Sequence, residues 1–73
     1  MRLKEARELA NYTQESLVQE IQIQMECSLR HYQNIEYGKK IPTMPLGLLI
    51  CRICGVDPND IDEWKIARTI GNS

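Results

Sequence analysis

Between Thr13 and Gly38 the chain carries two helix starts and one helix stop, and this short stretch constrains the fold more than any other. Thr13 precedes Gln14-Glu15-Ser16-Leu17 and offers a hydroxyl that can accept a hydrogen bond from a free N–H of the first turn. Ser28 stands in the same relation to Leu29-Arg30-His31-Tyr32-Gln33-Asn34-Ile35-Glu36. Gly38 closes the second helix, because a chain leaving a helix commonly needs a left-handed residue at that point. The stretch therefore predicts two successive short helices joined by a turn.

The flanks predict helices too. Leu3, Ala6 and Leu9, three residues apart, predict a short amphipathic helix over 2–10 that Asn11-Tyr12 breaks. Leu17, Val18, Ile21 and Met25 form the apolar stripe of the second helix, and Tyr32 and Ile35 face inward from the third. Pro42 and Pro45 flank the entry to a fourth segment, Leu46 to Cys54, where Pro45 fits a first turn whose N–H would be unpaired anyway. Gly55 stops that segment. Asp57-Pro58 then starts a fifth, with Ile61 and Trp64 on one face; it extends to about Ile70, and Gly71-Asn72-Ser73 frays. No strand pattern is present. The expected fold is all-α, five short helices on one core, in a single domain over 1–73 with its core in 2–64 and 65–73 as a helical extension or frayed tail.

Composition narrows the function classes. Phe is absent and the only aromatics are Trp64 and three tyrosines, so the core must rest on Leu, Ile, Val and Met. No apolar run approaches the roughly 20 residues that span a bilayer. The opening Met1-Arg2-Leu3-Lys4-Glu5 is charged at once and does not read as a signal peptide, so the expected location is the cytoplasm. A net charge of −1 argues against a nonspecific nucleic-acid coat. Its distribution is uneven: residues 28–40 hold Arg30, Lys39 and Lys40 against Glu36 alone, and they form the one net-positive segment.

Taken together, Arg7, Thr13-Gln14-Glu15, Leu17, Glu36-x-Gly38-Lys39, Pro42 and Gly55-Val56 fall in an order and spacing that resembles the phage Cro/C1-repressor-like (XRE) helix-turn-helix family. The resemblance covers residues 2–64 and implies a five-helix lambda-repressor-like DNA-binding domain. It implies that Thr13 and Gln14, at the start of the second helix, hold a backbone phosphate, since a helix N-terminus presents free N–H groups and partial positive charge. It also implies that the third helix meets base edges through Ser28, Leu29, Arg30, His31, Gln33 and Asn34. In chemical type, Arg suits guanine, Asn and Gln suit adenine, and Leu29 suits a thymine methyl. Tyr37, Lys39 and Lys40 are implied to grip phosphates in the following turn, without reading sequence. Arg7 and Glu36 are implied to form a partly buried structural ion pair, which accounts for an acidic residue beside a phosphate-binding turn.

One stretch departs from the pattern. Thr13 and Ser28 lie about one helical turn further apart than the family pattern expects, and no Gly lies between them. An extra turn on the second helix would keep Leu17, Ile21 and Met25 on one face, leaving Glu26 and Cys27 as the turn with Cys27 in the apolar slot. Alternatively the third helix starts early, near Gln24, which would present its faces differently.

Other chemistry finds less support. Cys51-x-x-Cys54 with Cys27 and His31 supplies residue types for a zinc site or a redox pair, but zinc needs a closed set of four ligands. The resemblance puts Cys51 and Cys54 at apolar helix positions, where Cys behaves as a small hydrophobe. His31 is expected on the exposed side of its helix. With no export signal and three cysteines, structural disulfides are not expected. With one His and no Gly-rich phosphate loop, no enzyme, metal or cofactor is indicated, and the acids from Asp57 to Glu63 read as a helix N-terminus.

The expected function is a sequence-specific duplex-DNA-binding transcriptional repressor acting by operator occupancy. It would act as a homodimer on a near-palindromic operator, with the tail residues Ile61, Trp64, Ile66 and Ile70 as the candidate dimer surface. The alternative is a protein-interaction module, antitoxin-like or a phage inhibitory partner, that retains the fold with little DNA binding.

Overall fold

The computed structural model describes residues 1–64. In chain order these form α1 (Leu3–Leu9), α2 (Gln14–Gln22), α3 (Leu29–Glu36) and α4 (Met44–Cys54), then a 3-10 turn at Pro58–Asp60. Residues 62–64 are helical where the description ends. No strand occurs among the described residues.

The hub is α4. Leu46, Gly47, Leu49, Ile50, Cys51 and Cys54 are all buried, so the helix is apolar on more than one side. It packs against α1, α2 and the 3-10 turn, while α3 packs on α2. Leu17, Ile21, Tyr32, Ile35, Ile50 and Ile61 are fully excluded from water. Burying an aliphatic side chain such as these Leu and Ile residues stabilises by about 1.5–3 kcal/mol, so they dominate a small core.

Three helices end by one device. At Asn11, Gly38 and Gly55 the backbone turns left-handed, with φ of 66°, 80° and 73°. A hydrogen bond then returns from the residue beyond: Tyr12 N–H to the Arg7 carbonyl, Lys39 N–H to that of Asn34, and Val56 N–H to that of Cys51. Helix starts are equally local. The Thr13 hydroxyl accepts from the Ser16 N–H and that of Ser28 from the His31 N–H, each at 3.0 Å.

The lengthened stretch takes neither expected form. α2 stops at Gln22 without the extra turn, and α3 begins at Leu29 after its Ser28 cap, not near Gln24. The added residues lie in the connection. No residue there has a positive φ, and the reversal is spread over 23–28. One helix-like bond persists, from the Met25 N–H to the Ile21 carbonyl, and the Gln22 side chain donates forward to the Cys27 carbonyl at 2.8 Å. Cys27 fills the apolar slot as expected, Met25 packs at the edge of the core, and Ile23 is left 75% exposed.

Two further expectations are corrected. Leu9 is not part of the inner face of α1: it is 72% exposed, whereas Arg7 is buried and Ala10 packs on the core. At 100° per residue Leu9 lies about 120° round from Leu3, and Arg7 only about 40°. Asp57-Pro58 opens the fifth helical element as a 3-10 turn, not as one continuous α-helix through Ile61. Asp57 caps the 3-10 turn by accepting from the Asn59 N–H, and Ile61 is extended, which drops its side chain into the core. Asp62 N–H bonds the Met1 carbonyl and Leu3 N–H bonds the Glu63 carboxylate, so the start of α1 and residues 62–63 hold each other. The expected continuation to Ile70 lies outside the described residues.

Gly55 offers a clean test of the left-handed stops, because a Cβ placed there would meet nothing within 4 Å. Gly55→Ala should therefore lose about 1–2 kcal/mol through backbone conformation alone, read as a lower urea midpoint with unchanged slope. Gly55→Asn should lose less.

Candidate nucleic-acid interface

One carboxylate organises the site. Glu36 sits at the end of α3 with 3% of its surface exposed, facing Arg7 of α1, which is 7% exposed. Arg7 Nε donates to Glu36 Oε1 at 2.7 Å and Nη2 to Oε2 at 3.5 Å, while Nη1 donates to the Tyr12 carbonyl at 2.9 Å. The Tyr32 hydroxyl, one turn back on α3, donates to Oε1 at 2.9 Å. From the start of α2, Gln14 Nε2 donates to Oε2 at 2.6 Å. A buried carboxylate is thus met by donors from three helices.

Burial by itself would raise the Glu36 carboxyl. Hydrogen bonds from Arg7, Gln14 and Tyr32, with the charge of Arg7, outweigh it and hold Glu36 below its ordinary value. Arg7 shows the matching balance: burial opposes its charge, Glu36 restores it, and its pKa ends above the ordinary value. Burial first, then the neighbouring Glu36, pushes the Tyr32 hydroxyl up, so it stays protonated and remains a donor. The expected Arg7–Glu36 pair is present. Tyr32 has a role beyond the core position expected for it, and its spacing of four from Glu36 on one helix is the sequence signal that the two meet.

Around this anchor lies the face expected to meet DNA. Arg30 is exposed, Gln33, Asn34 and His31 are half-buried, and Ser28 is exposed at the cap. Leu29 is half-buried and packs on the core, so only part of it is free for a base. Thr13 is exposed beside Gln14, whose backbone lies at the N-terminus of α2. The Gln14 side chain is turned inward: besides Glu36, its Nε2 approaches the Tyr37 hydroxyl at 3.4 Å, and its Oε1 accepts from Gln33 Nε2 at 3.1 Å. This bridge between α2 and α3 joins residues 19 apart, and no local sequence pattern announces it. Tyr37 is 56% exposed, and Lys39 and Lys40 are exposed beyond it. The N–H groups of both lysines bond the Asn34 carbonyl, at 2.8 and 3.2 Å, which fixes the turn that carries them.

The face therefore joins a helix N-terminus, a polar helix flank and a cationic turn within one packed unit. The cysteines belong elsewhere. Cys27, Cys51 and Cys54 are buried free thiols, and burial pushes Cys51 and Cys54 up to about 11, which disfavours thiolate chemistry near neutrality. No cluster of potential metal ligands occurs among the described residues. Nor is any described helix long and apolar enough to cross a membrane.

A family model described as helix-turn-helix, of the Cro/C1 type, matches residues 3–61. No curated protein and no solved structure matches the chain.

Removing one partner of a buried pair strands the other, so Glu36→Ala should lose about 3–5 kcal/mol, seen as a large fall in Tm. A melting curve matching wild type would refute a structural role for the pair. Because the folded-state pKa of Glu36 is depressed, its stabilisation is full above the ordinary carboxylate value of 4.5 and disappears as pH falls through the lower folded value. The Tm gap between wild type and Glu36→Gln should accordingly shrink as pH is lowered below 4.5.

Proposed function

This chain belongs to the Cro/C1-type helix-turn-helix family of DNA-binding regulators, and we propose that it is a cytoplasmic, sequence-specific repressor that acts by occupying an operator. The observation that carries this reading is the joint placement of the polar face of α3, the start of α2 and the Lys39-Lys40 turn. A duplex demands this combination: α3 enters the major groove, and the two flanking elements hold the backbone on either side.

In this reading Arg30 takes guanine, Gln33 and Asn34 take adenine, and the open part of Leu29 meets a thymine methyl, with Ser28 and His31 at the edge of the contact. The N-terminus of α2 at Thr13 and Gln14 holds one phosphate, and Tyr37, Lys39 and Lys40 hold others. So few base contacts favour a homodimer on a near-palindromic operator, with half-sites one helical turn apart, about 34–36 Å. Ile61 is fully buried and leaves the proposed dimer surface, while Ile66 and Ile70 lie outside the described residues. Exposed Ile41, Met44 and Leu48 beside Trp64 line an apolar groove that supports pairing instead.

The same groove favours a second reading, a protein-interaction module with little DNA affinity. Titration of labelled random duplex at two salt concentrations separates the two. A DNA reader should bind with steep salt dependence, and Lys39→Ala and Lys40→Ala should each reduce the slope of log K against log salt by about 1. No binding at low salt, beside a stable protein complex in a pull-down, would favour the second.

A further inference from the structure

The turn that carries Lys39 and Lys40 has two feet, Gly38 and Pro42, and each is backed by a residue from 63–64. The near foot is tied to α3, because the N–H groups of both lysines bond the Asn34 carbonyl. Behind it stands Glu63: a Cβ placed at Gly38 would meet Glu63 Cγ at 4.0 Å. The Glu63 side chain is only 9% exposed and is itself held from α1. It accepts from the Leu3 N–H at 3.0 Å and lies 3.6 Å from Arg2 Nε. The far foot is secured differently. Pro42 has no N–H to donate, so its place depends on packing. A Cβ placed at Gly47 of α4 would lie 3.4 Å from Pro42 Cγ, and 3.7 and 3.8 Å from Trp64 Cζ3 and Cη2. Proline ring and indole thus both close over the bare backbone of one glycine.

We propose that Glu63 and Trp64 are positioning residues, which brace Gly38 and Pro42 from behind and so hold the Lys39-Lys40 turn in place for backbone phosphates. This rests on the DNA-binding reading above. A turn already in place loses little freedom when it meets a phosphate. A loose one must be ordered at the moment of binding, and that ordering weakens the contact. The brace acts on the phosphate grip and not on base choice, since the bonds that set α3 through Glu36 involve neither residue. Two residues that touch no DNA thereby decide how firmly the backbone is held.

The test titrates labelled random duplex over a range of salt with the full chain and three variants, Glu63→Ala, Trp64→Ala and Trp64→Phe. Glu63→Ala and Trp64→Ala should each lower the slope of log K against log salt by about 1. Neither should lower it further in a Lys39→Ala/Lys40→Ala background. Trp64→Phe keeps a ring over Gly47 and should keep the slope. A loss that persists without the two lysines overturns the proposal, because it is what weaker pairing through the groove that Trp64 also lines would produce. An unchanged slope in both alanine variants overturns it too. A second readout needs no DNA. In the free protein, the Lys39 and Lys40 N–H groups should exchange with water faster in Glu63→Ala and Trp64→Ala than in wild type, by NMR, while the Tyr32 N–H within α3 keeps its rate. Unchanged exchange at both lysines overturns the brace whatever the DNA result. Should wild type bind no duplex even at low salt, the DNA reading falls and the phosphate role with it, and exchange alone decides whether the turn is braced.

Discussion

The buried carboxylate of Glu36 is the constraint on which the arrangement of α1, α2 and α3 depends. Taking such a charge out of water costs several kcal/mol, and that cost is offset only where donors are well placed around it. Arg7, Tyr32 and Gln14 supply them from all three helices. Apolar packing between these helices is non-directional and would tolerate rotation of α3 about its axis. The bonds that cross to Glu36 from Arg7 on α1 and Gln14 on α2 are directional and tolerate much less. In a domain whose core consists of a few aliphatic side chains, this polar anchor fixes the angle at which the outward face of α3 is held.

That anchor explains how an acidic residue can lie close to a cationic turn. The charge of Glu36 is directed into the protein and matched by Arg7, while Lys39 and Lys40 project from the turn beyond Gly38. The left-handed backbone at Gly38 separates the two environments. It ends α3 just past Glu36 and turns the chain so that both lysine N–H groups reach back to the Asn34 carbonyl. An acid and two bases that lie close in sequence thus become an inward acid and an outward basic pair in space.

What the sequence made legible was whatever local chemistry decides. Thr13, Ser28, Gly38 and Gly55 act within a few residues of themselves, and all four stand where their types predict. The Arg7–Glu36 pair, 29 residues apart, was reached through resemblance, not through any local pattern. Features set by distant partners were read wrongly or missed. Asp57-Pro58 is as good a start for a 3-10 turn as for a helix, and the choice falls to Ile61 entering the core and Asp62 bonding Met1. Leu9 matched a three-residue spacing, but a buried charge at position 7 shifted the inner face of α1 away from it. α2 had no Gly to mark its end, so the length of its final turn was decided by where Cys27 and Ser28 had to be. The Gln14–Gln33 bridge spans 19 residues and could be seen only once α2 and α3 were in place.

The connection over 23–28 carries a consequence of its own. Closing a flexible loop becomes only slowly harder as it lengthens, by about 0.6 kcal/mol for each doubling. A few added residues are therefore thermodynamically minor, provided that both ends remain fixed. Here they do: the Gln22 side chain secures the near end to the Cys27 carbonyl, and the Ser28 hydroxyl secures the far end to α3. The joint between the two helices is thus a length-tolerant splice. An insertion at its outermost residues, around Ile23 and Gln24, could carry a fluorophore or a short peptide tag while the first residue of α3 stays in register.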